Sequence, residues 1–348
     1  MRRVTIMMPC YNEEGNVREL HRRVSDVVAG LSDRFEFDFI FIDNASTDGT
    51  AAILRELAAT DRRVKVIINA RNFGHIRSPH HAILQAEGDA VICMASDLQD
   101  PPELIPDFIA KWEEGYRVVV GVKAKSEESF LFYWLRTMYY KALRRLSDIE
   151  LIEHFTGFGL YDRRVVQVLR TLDDPYPYFR GLIADLGFRN AKIKFTQPLR
   201  KRGITKNNFY TLFDMAMLGF TSHSKLPLRL ATFIGFISGL LSFLVGVFYL
   251  GYKLANWNGF VVGLAPLVIG LFFFASIQLV FLGIVGEYVG AIHTQVQKRP
   301  LVVEAERINF STPELRPEQP RTIAVANPAA YADNSDPERR GAFEPRVT

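Results

Sequence analysis

Charged residues vanish from two long stretches of the chain. There are none from Leu230 to Tyr252 and none from Leu254 to Gly286. Each run exceeds the ~20 apolar residues that a helix needs to cross a bilayer. Asn256, Trp257, Asn258 and Gly259 interrupt the second run near its start and read as a turn. The pattern predicts two transmembrane helices, at about 230–252 and 261–286, within a membrane segment of 229–290. Lys225 and Arg229 precede the first span, Lys298 and Arg299 follow the second, and only Lys253 lies between. Basic flanks stay on the cytoplasmic side. The expectation is a multi-pass protein of the inner (cytoplasmic) membrane, with both termini and the N-terminal region in the cytoplasm. Gly235 and Gly239, Ser242 and Gly246, and Gly286 and Gly290 are each four apart, a spacing that lets helices pack closely.

Upstream the pattern changes to short apolar runs alternating with helical periodicity. Val4–Met8, Phe37–Asp43, Val64–Asn69, Ala90–Ala95 and Val118–Val122 read as strands. Val17–Leu31, Thr50–Ala59, a segment from about Pro79, and Pro102–Glu114 read as the helices between them. Such alternation builds an α/β fold on a mostly parallel sheet covered on both faces. Ligands of such sheets bind in loops beyond the carboxyl ends of the strands.

Two further segments, at about 126–147 and 205–226, mix aromatic and aliphatic residues with basic ones and are expected to lie in the bilayer interface. Residues 1–228 then form a cytoplasmic domain that includes both. Residues 291–310 form a cytoplasmic extension, and 311–348, rich in Pro, Ala, Arg and Glu, read as a disordered tail.

Composition narrows the field. The net charge of +4 suits anionic small molecules or an anionic membrane face and is too small to argue for nucleic acid. Two cysteines, Cys10 and Cys93, exclude a disulfide scaffold or a multi-cysteine metal site. Both sit in apolar runs, as buried thiols do. Met1-Arg2-Arg3 precedes an apolar run that Pro9 stops, too short for a secretory signal.

Polar residues collect where the strands end. The first strand runs into Pro9-Cys10-Tyr11-Asn12-Glu13-Glu14, the second into Asp43-Asn44-Ala45-Ser46-Thr47-Asp48-Gly49-Thr50, and the fourth into Ala95-Ser96-Asp97-Leu98-Gln99-Asp100-Pro101-Pro102. Tyr11 can stack on a base, and Asp43 or Asn44 can bond its edge. Asp97 and Gln99 offer two oxygens to a divalent ion that also holds a diphosphate. Ser46-Thr47-Asp48 also has the composition of a helix cap. His75, His80 and His81 are expected at the surface or at a helix cap, with no acidic partner near.

Together these segments resemble glycosyltransferase family 2, whose fold is the GT-A nucleotide-sugar-binding sheet. With two C-terminal spans the chain looks like the polyprenyl-phosphate glycosyltransferases, related to dolichol-phosphate mannose synthase and bactoprenol glucosyltransferases. The likeness covers about residues 3–300. It implies inverting transfer of a sugar from a nucleotide-sugar, a UDP-sugar, to the phosphate of undecaprenyl phosphate, with Mg²⁺ or Mn²⁺. It assigns Pro9, Tyr11, Glu13, Ile42, Asp43, Asn44, Ser96 and Asp97 to the nucleotide, and Asp97 and Gln99 to the metal. Lys123, Arg136, Arg200, Arg202 and Lys206 fall to the donor and acceptor phosphates. Asp97, Arg136, Arg200 and Lys206 are the residues expected to carry catalysis. The implied partners are the donor, the lipid acceptor, the bilayer and further copies of the chain, as a tetramer.

Three positions depart from the family pattern. Ala95 stands where a first carboxylate is usual, Thr156-Gly157-Phe158-Gly159-Leu160 where relatives often carry Gly-Asp-Phe-Arg-Leu, and Asn44 where Asp is common. Two other readings compete. A processive polysaccharide synthase needs more spans and a Gln-x-x-Arg-Trp motif, and the chain has neither. A catalytically weakened scaffold or flippase subunit is favoured by Ala95 and disfavoured by Asp97, Gln99 and the basic segment Arg200–Lys206.

Overall fold

A computed structural model of the chain describes residues 1–123, 152, 155–197, 226–255 and 264–310. The expected interface helices at 126–147 and 205–226 (apart from Leu226), the expected turn at 256–259 and the tail at 311–348 lie outside the described residues. So do Arg136, Arg200, Arg202 and Lys206.

Strand and helix alternate as the apolar pattern dictates: β1 (Arg2–Cys10), α1 (Val17–Ala29), β2 (Phe35–Asp43), α2 (Thr50–Thr60), β3 (Val64–Asn69), α3 (Gly74–Gln85) and β4 (Ala90–Cys93). After a single 3₁₀ turn at Pro102–Leu104 come α4 (Ile105–Glu113), β5 (Val118–Lys123), β6 (Phe155–Asp162), α5 (Arg163–Thr171), α6 (Phe179–Asp185) and β7 (Asn190–Phe195). Two long helices follow, α7 (Leu226–Ala255) and α8 (Leu264–Val296), and then a last strand, β8 (Glu304–Ile308). The third helix starts at Gly74, five residues before the expected Pro79. Proline lacks only one N–H of the ladder, and α3 accommodates it internally.

The strands form one sheet in the order β7-β5-β6-β4-β1-β2-β3-β8. Only β6 and β8 run against the others. Side chains alternate across it with period two. Ile6, Met8, Phe39 and Phe41 point to the layer of α1, α2 and α4, where Leu20, Leu54 and Phe108 meet them. Met7, Ile40, Ile42 and Val91 point the other way, onto Ile83 of α3 and Val165 and Leu169 of α5. Strands buried on both faces read as continuous apolar runs, which is why their positions were visible in the sequence.

Reversed β6 owes its place to a glycine. A Cβ at Gly159 would stand 2.4 Å from the Val119 carbonyl oxygen of β5, so no other residue admits that pairing.

Both long helices contain a segment apolar enough to cross a membrane, Leu228–Phe248 and Gly270–Val296. At ~1.5 Å per residue, thirty residues reach about 45 Å, beyond the ~30 Å of a hydrocarbon core. Phe236 is 71% exposed and Phe272 68% exposed, a placement that water penalises and lipid does not. A Cβ added at Gly235 would lie 3.6 Å from the Phe281 ring across the helix pair, ordinary van der Waals contact.

The segment expected as a plain extension is more than that. Residues to Val296 continue α8, and β8 pairs antiparallel with β3. The chain thus returns from the long helices to the sheet it started from, and residues up to Phe310 belong to one unit.

Candidate active site

Three loops leave the carboxyl ends of β1, β2 and β4. Each holds a non-glycine residue in the left-handed region: Asn12 at φ 56°, Ala45 at 59° and Leu98 at 62°. That conformation is disfavoured by ~1–2 kcal/mol for most residues. Three such residues on one sheet edge point to a site whose shape the fold enforces.

Hydrogen bonds stitch the first two loops together. Asn12 N–H donates to Ser46 Oγ at 2.9 Å, and Thr47 N–H donates to Asn12 Oδ1 at 2.8 Å. Ser46 Oγ in turn donates to the Asp43 carboxylate, which also accepts Ser46 N–H at 3.1 Å. Glu13 N–H donates to Thr50 Oγ1 at 2.8 Å, and Gly49 N–H to Glu14 Oε2 at 2.7 Å. Asp48 takes the Thr50 N–H at 3.0 Å just ahead of α2, whose N-cap position is Gly49 and carries no side-chain cap. Burial pushes the Asp43 carboxyl above its ordinary range, against the pull of the Ser46 bonds.

The third loop is tighter. Asp97, half-buried, accepts the N–H of Gln99 at 3.1 Å. Asp100 is buried, and its Oδ2 accepts the Ala95 N–H at 2.8 Å. Burial pushes Asp100 up to about 7, with Asp97 adding to the rise and Lys123 opposing it. Lys123 is the last residue of β5, within electrostatic reach of this loop.

The expected nucleotide residues divide. Pro9, Tyr11 and Glu13 are half-buried at the β1 end, with Glu13 Oε2 taking the Asn16 amide at 2.6 Å. Ser96 is buried, its Oγ 3.2 Å from Cys10 Sγ. Ile42 is wholly buried under α3 and packs rather than presenting a surface. Asn44 is committed internally. Its Nδ2 donates to Asn72 Oδ1 at 2.9 Å and to the Gly74 carbonyl at 3.2 Å, and its Oδ1 accepts from Asn69 Nδ2 at 3.1 Å and Phe73 N–H at 2.9 Å. All four bonding positions of the amide are filled, so in this conformation it orders the β2, β3 and α3 junction and has none left for a base edge.

Of the three histidines, His75 is exposed at the start of α3 as expected, and the other two need correction. All lie on α3, but His80 is buried and His81 Nε2 sits 2.6 Å from Glu304 Oε1. The acid lies more than two hundred residues downstream and became a neighbour only through β8. Sequence reasoning also gave no role to Asn12, Glu14 or Asp100. Their only signal was membership of the strand-end motifs.

Among the described residues no group of three or more His, Cys, Asp or Glu side chains could hold a metal. Asp97 with the Gln99 amide oxygen is a partial set. It fits an ion of the Mg²⁺ type, which binds through one or two protein oxygens and completes its shell with phosphates and water.

A mostly parallel sheet with hydroxyls and carboxylates crowded at one edge, continuous with two bilayer-length helices, describes a GT-A-type glycosyltransferase. Residues 5–170 match the model of the family described as "Glycosyl transferase family 2". The chain is 33% identical over 300 residues to "Uncharacterized glycosyltransferase YkcC" of Bacillus subtilis (strain 168), covering 86% of this chain and 92% of that one. It is 30% identical over 299 residues to "Bactoprenol glucosyl transferase" of Shigella phage SfII, covering 86% and 96%. The chain belongs to glycosyl transferase family 2 and is a glycosyltransferase. Among solved structures it is similar to glucosyl-3-phosphoglycerate synthase from Mycobacterium tuberculosis in complex with Mn²⁺, UDP and phosphoglyceric acid (TM-score 0.44, 19% identity, 63% of this chain and 76% of that one).

Proposed function

We propose that the protein transfers a sugar from a UDP-sugar to the phosphate of undecaprenyl phosphate at the cytoplasmic membrane face, with inversion at the sugar's anomeric carbon. The observation that carries this reading is the continuity of one sheet with two exposed apolar helices: β1, β2 and β4 end in the polar loops, and β8 resumes the sheet beyond the helices. Such a chain holds a nucleotide-sugar site beside a membrane, where a lipid phosphate is found. Similarity to proteins named bactoprenol glucosyl transferase, over nearly their whole length, supports the acceptor.

The chemistry asks little of a general base. A phosphate monoester with a second pKa near ~6 is mostly a dianion at neutral pH and is already a nucleophile. Its oxygen attacks the anomeric carbon as the bond to the diphosphate breaks, and that electron pair leaves with UDP. The protein must hold two anions together and hold the leaving group in place. Asp97 and Gln99 are the residues that would hold Mg²⁺ or Mn²⁺, whose charge stabilises the departing diphosphate. Lys123, with Arg136, Arg200, Arg202 and Lys206, supplies the remaining positive charge.

Label transfer tests this. Protein in detergent with undecaprenyl phosphate, Mn²⁺ and a panel of radiolabelled UDP- and GDP-sugars should move label from one UDP-sugar into the organic phase. Asp97→Ala should abolish it. Ala95 favours a second reading, a scaffold without activity, because its methyl offers no metal ligand. Folded protein that transfers label from no donor would establish that reading instead.

A further inference from the structure

Where α8 ends and the chain turns back to the sheet, three arginines gather without an acid between them. Lys298 sits there at φ 46°, a left-handed turn just past α8. Beyond it the Pro300 carbonyl accepts a bond from the Arg77 guanidinium in the first turn of α3, and the Val303 carbonyl accepts Ala70 N–H at 2.8 Å. Arg71 and Arg77 both lie over the buried Phe73 ring, 4.0 and 5.3 Å from its centroid. Burial lowers the Arg77 pKa, and the charges of Arg71 and Arg299 lower it further. Among the described residues no carboxylate pairs with any of the three. Glu304 is taken by His81 and Arg307, and Asp174 by Gln295. Arg77 spends Nη2 on Pro300 and encloses Nε, which leaves Nη1 to a ligand. Arg299 is exposed. Like charges gathered this way repel, and the planar fork of a guanidinium matches the oxygens of a phosphate.

Depth and distance decide the occupant. The apolar span ends at Val296. Three residues reach about 10 Å at most, so Arg299 stays within the headgroup layer of the bilayer. Phosphate is the anion of that layer. The cluster stands at the end of β3, and the sheet order β4-β1-β2-β3 puts two strands between β3 and β4. At ~4.8 Å per spacing, it lies about 14 Å from the strand that carries the Asp97 loop. A phosphate bound here is too far away to attack a sugar held at that loop. The site suits a lipid that stays in place, not the one that reacts.

We propose that Arg77 and Arg299 bind the phosphate of an anionic phospholipid headgroup, with Arg71 adding to the positive potential, and that this contact seats the β3–β8 edge of the sheet on the membrane. The inference rests on the membrane placement in the reading above and goes further by naming a lipid that is not a substrate.

Binding of short-chain phosphatidylglycerol to the full-length protein in neutral detergent tests it, beside phosphatidylcholine, with inorganic phosphate and undecaprenyl phosphate as competitors. Phosphatidylglycerol should bind at least about tenfold more tightly than phosphatidylcholine. Arg299→Gln should weaken it about fivefold, the ~1 kcal/mol expected of one basic residue at a lipid surface. Arg299 makes no hydrogen bond or ion pair among the described residues, so its loss should leave the domain folded. Arg77→Lys keeps the charge without the fork and should weaken binding less than Arg77→Gln. Arg164→Gln removes a charge at the opposite end of the strands and should change binding less than about twofold. Equal affinity for the two phospholipids, or equal losses at Arg299 and Arg164, would overturn the assignment by reducing it to diffuse attraction. Displacement by inorganic phosphate as effective as by lipid would overturn it in favour of a soluble anion. Displacement by undecaprenyl phosphate, with phosphatidylglycerol binding no better than phosphatidylcholine, would overturn it in favour of the acceptor. Sugar transfer is not read, so the two proposals fail separately. Protein that binds phosphatidylglycerol through these residues yet moves no label loses the function proposed above and keeps this site.

Discussion

His81 Nε2 of α3 lies 2.6 Å from Glu304 Oε1 of β8, although both long apolar helices separate them in the chain. Arg307 joins the pair, bonding the same carboxylate at 2.6 and 2.8 Å and Gln85 at 2.8 Å. Arg55 binds Glu306 at 2.7 Å on the α2 side, and Arg77 donates to the Pro300 carbonyl. Asn309 Nδ2 adds bonds to the carbonyls of Ala58 and Val64 at 2.7 and 2.8 Å. Chain emerging from α8 is therefore fastened to both faces of the sheet edge within a few residues of its exit.

This clamp predicts unequal truncations. Ending the chain after Phe310 should leave the thermal midpoint of the detergent-solubilised protein where it was. Ending it after Arg299 removes β8, exposes the β3 edge and strips the partners of His81 and Arg55. That loss should exceed about 1 kcal/mol, or ~2–4 °C for a domain of this size. Equal midpoints for the two truncations would show that β8 contributes nothing to the domain. Glu304→Gln should sit between them. Burial alone would raise the Glu304 carboxyl, but the Arg307 and His81 bonds outweigh it and hold it low. Its contribution is therefore present above the ordinary carboxylate range and lost as pH falls through it.

The clamp also shows where the sequence was legible. Val64–Asn69 matches β3 in full, and the other core strands differ by a residue or two at their ends, because burial on both faces makes them apolar throughout. The edges were not legible. β8 reads Glu-Ala-Glu-Arg-Ile, charged as a protected edge strand should be, and charge hides a strand from a search for apolar runs. β6 carries Gly157 and Gly159, residues that weaken a strand signal, and no strand was expected there; Val119 requires the second glycine. Of the site, the strand-end loops were readable as motifs. Asn44 was not, since its role depends on Asn69 at the end of β3 and on Asn72 in the loop that follows.

Gly159→Ala is expected to be severe. A methyl group 2.4 Å from the Val119 carbonyl cannot be relieved by rotating a side chain, since both atoms belong to paired backbone. The β5–β6 pairing should open at a cost of about 3 kcal/mol or more. Limited proteolysis would read it as new cleavage around β5 and β6. Gly49→Ala should be milder, because the atom it meets is the movable Glu14 carboxylate. If the two variants resist protease equally, the close approach at β6 is not a constraint.

Metal binding should depend on nucleotide. Asp97 and Gln99 alone are too few ligands, and among the described residues no cluster of three or more acidic, His or Cys groups supplements them. Titrating Mn²⁺ into the protein by electron paramagnetic resonance should show little bound ion without UDP and one bound ion with it. Asp97→Asn should lose the nucleotide-dependent ion and reduce transfer by at least ~100-fold. Tight Mn²⁺ binding in the absence of UDP would mean that other ligands complete the site.

His80 should by itself cost the fold stability in mild acid. Burial pushes its pKa down to about 4, and His75 is lowered by burial as well, with Arg180 adding to it. The unfolded chain then binds protons near pH 6.5 that the folded state refuses until about 4. Stability tied to His80 is thus whole above ~6.5 and lost as pH drops toward 4, by on the order of 3 kcal/mol. Asp43 and Asp100 are shifted up by burial and act with the opposite sign over much of that window. The informative quantity is consequently the difference between His80→Phe and the unaltered protein, followed by chemical denaturation from pH 4.5 to 7.5. His80→Phe should flatten the acid limb. Parallel curves would mean that His80 gains access to water in solution and titrates normally.

Because β8 belongs to the same sheet as β1, α7 must leave and α8 must return on the side where the sheet lies. Two helices that each cross the bilayer satisfy this, and so does a hairpin that never crosses. The segment between them separates the two cases. Asn258→Cys, introduced where Cys10 and Cys93 are buried and slow to react, should be labelled by a membrane-impermeant maleimide added to intact cells. Gln297→Cys, just past the end of α8, should be labelled only after the membrane is opened. Labelling of both positions only in opened membranes would leave the helices lying against one face. The lipid phosphate would then have to be reached without a transmembrane anchor.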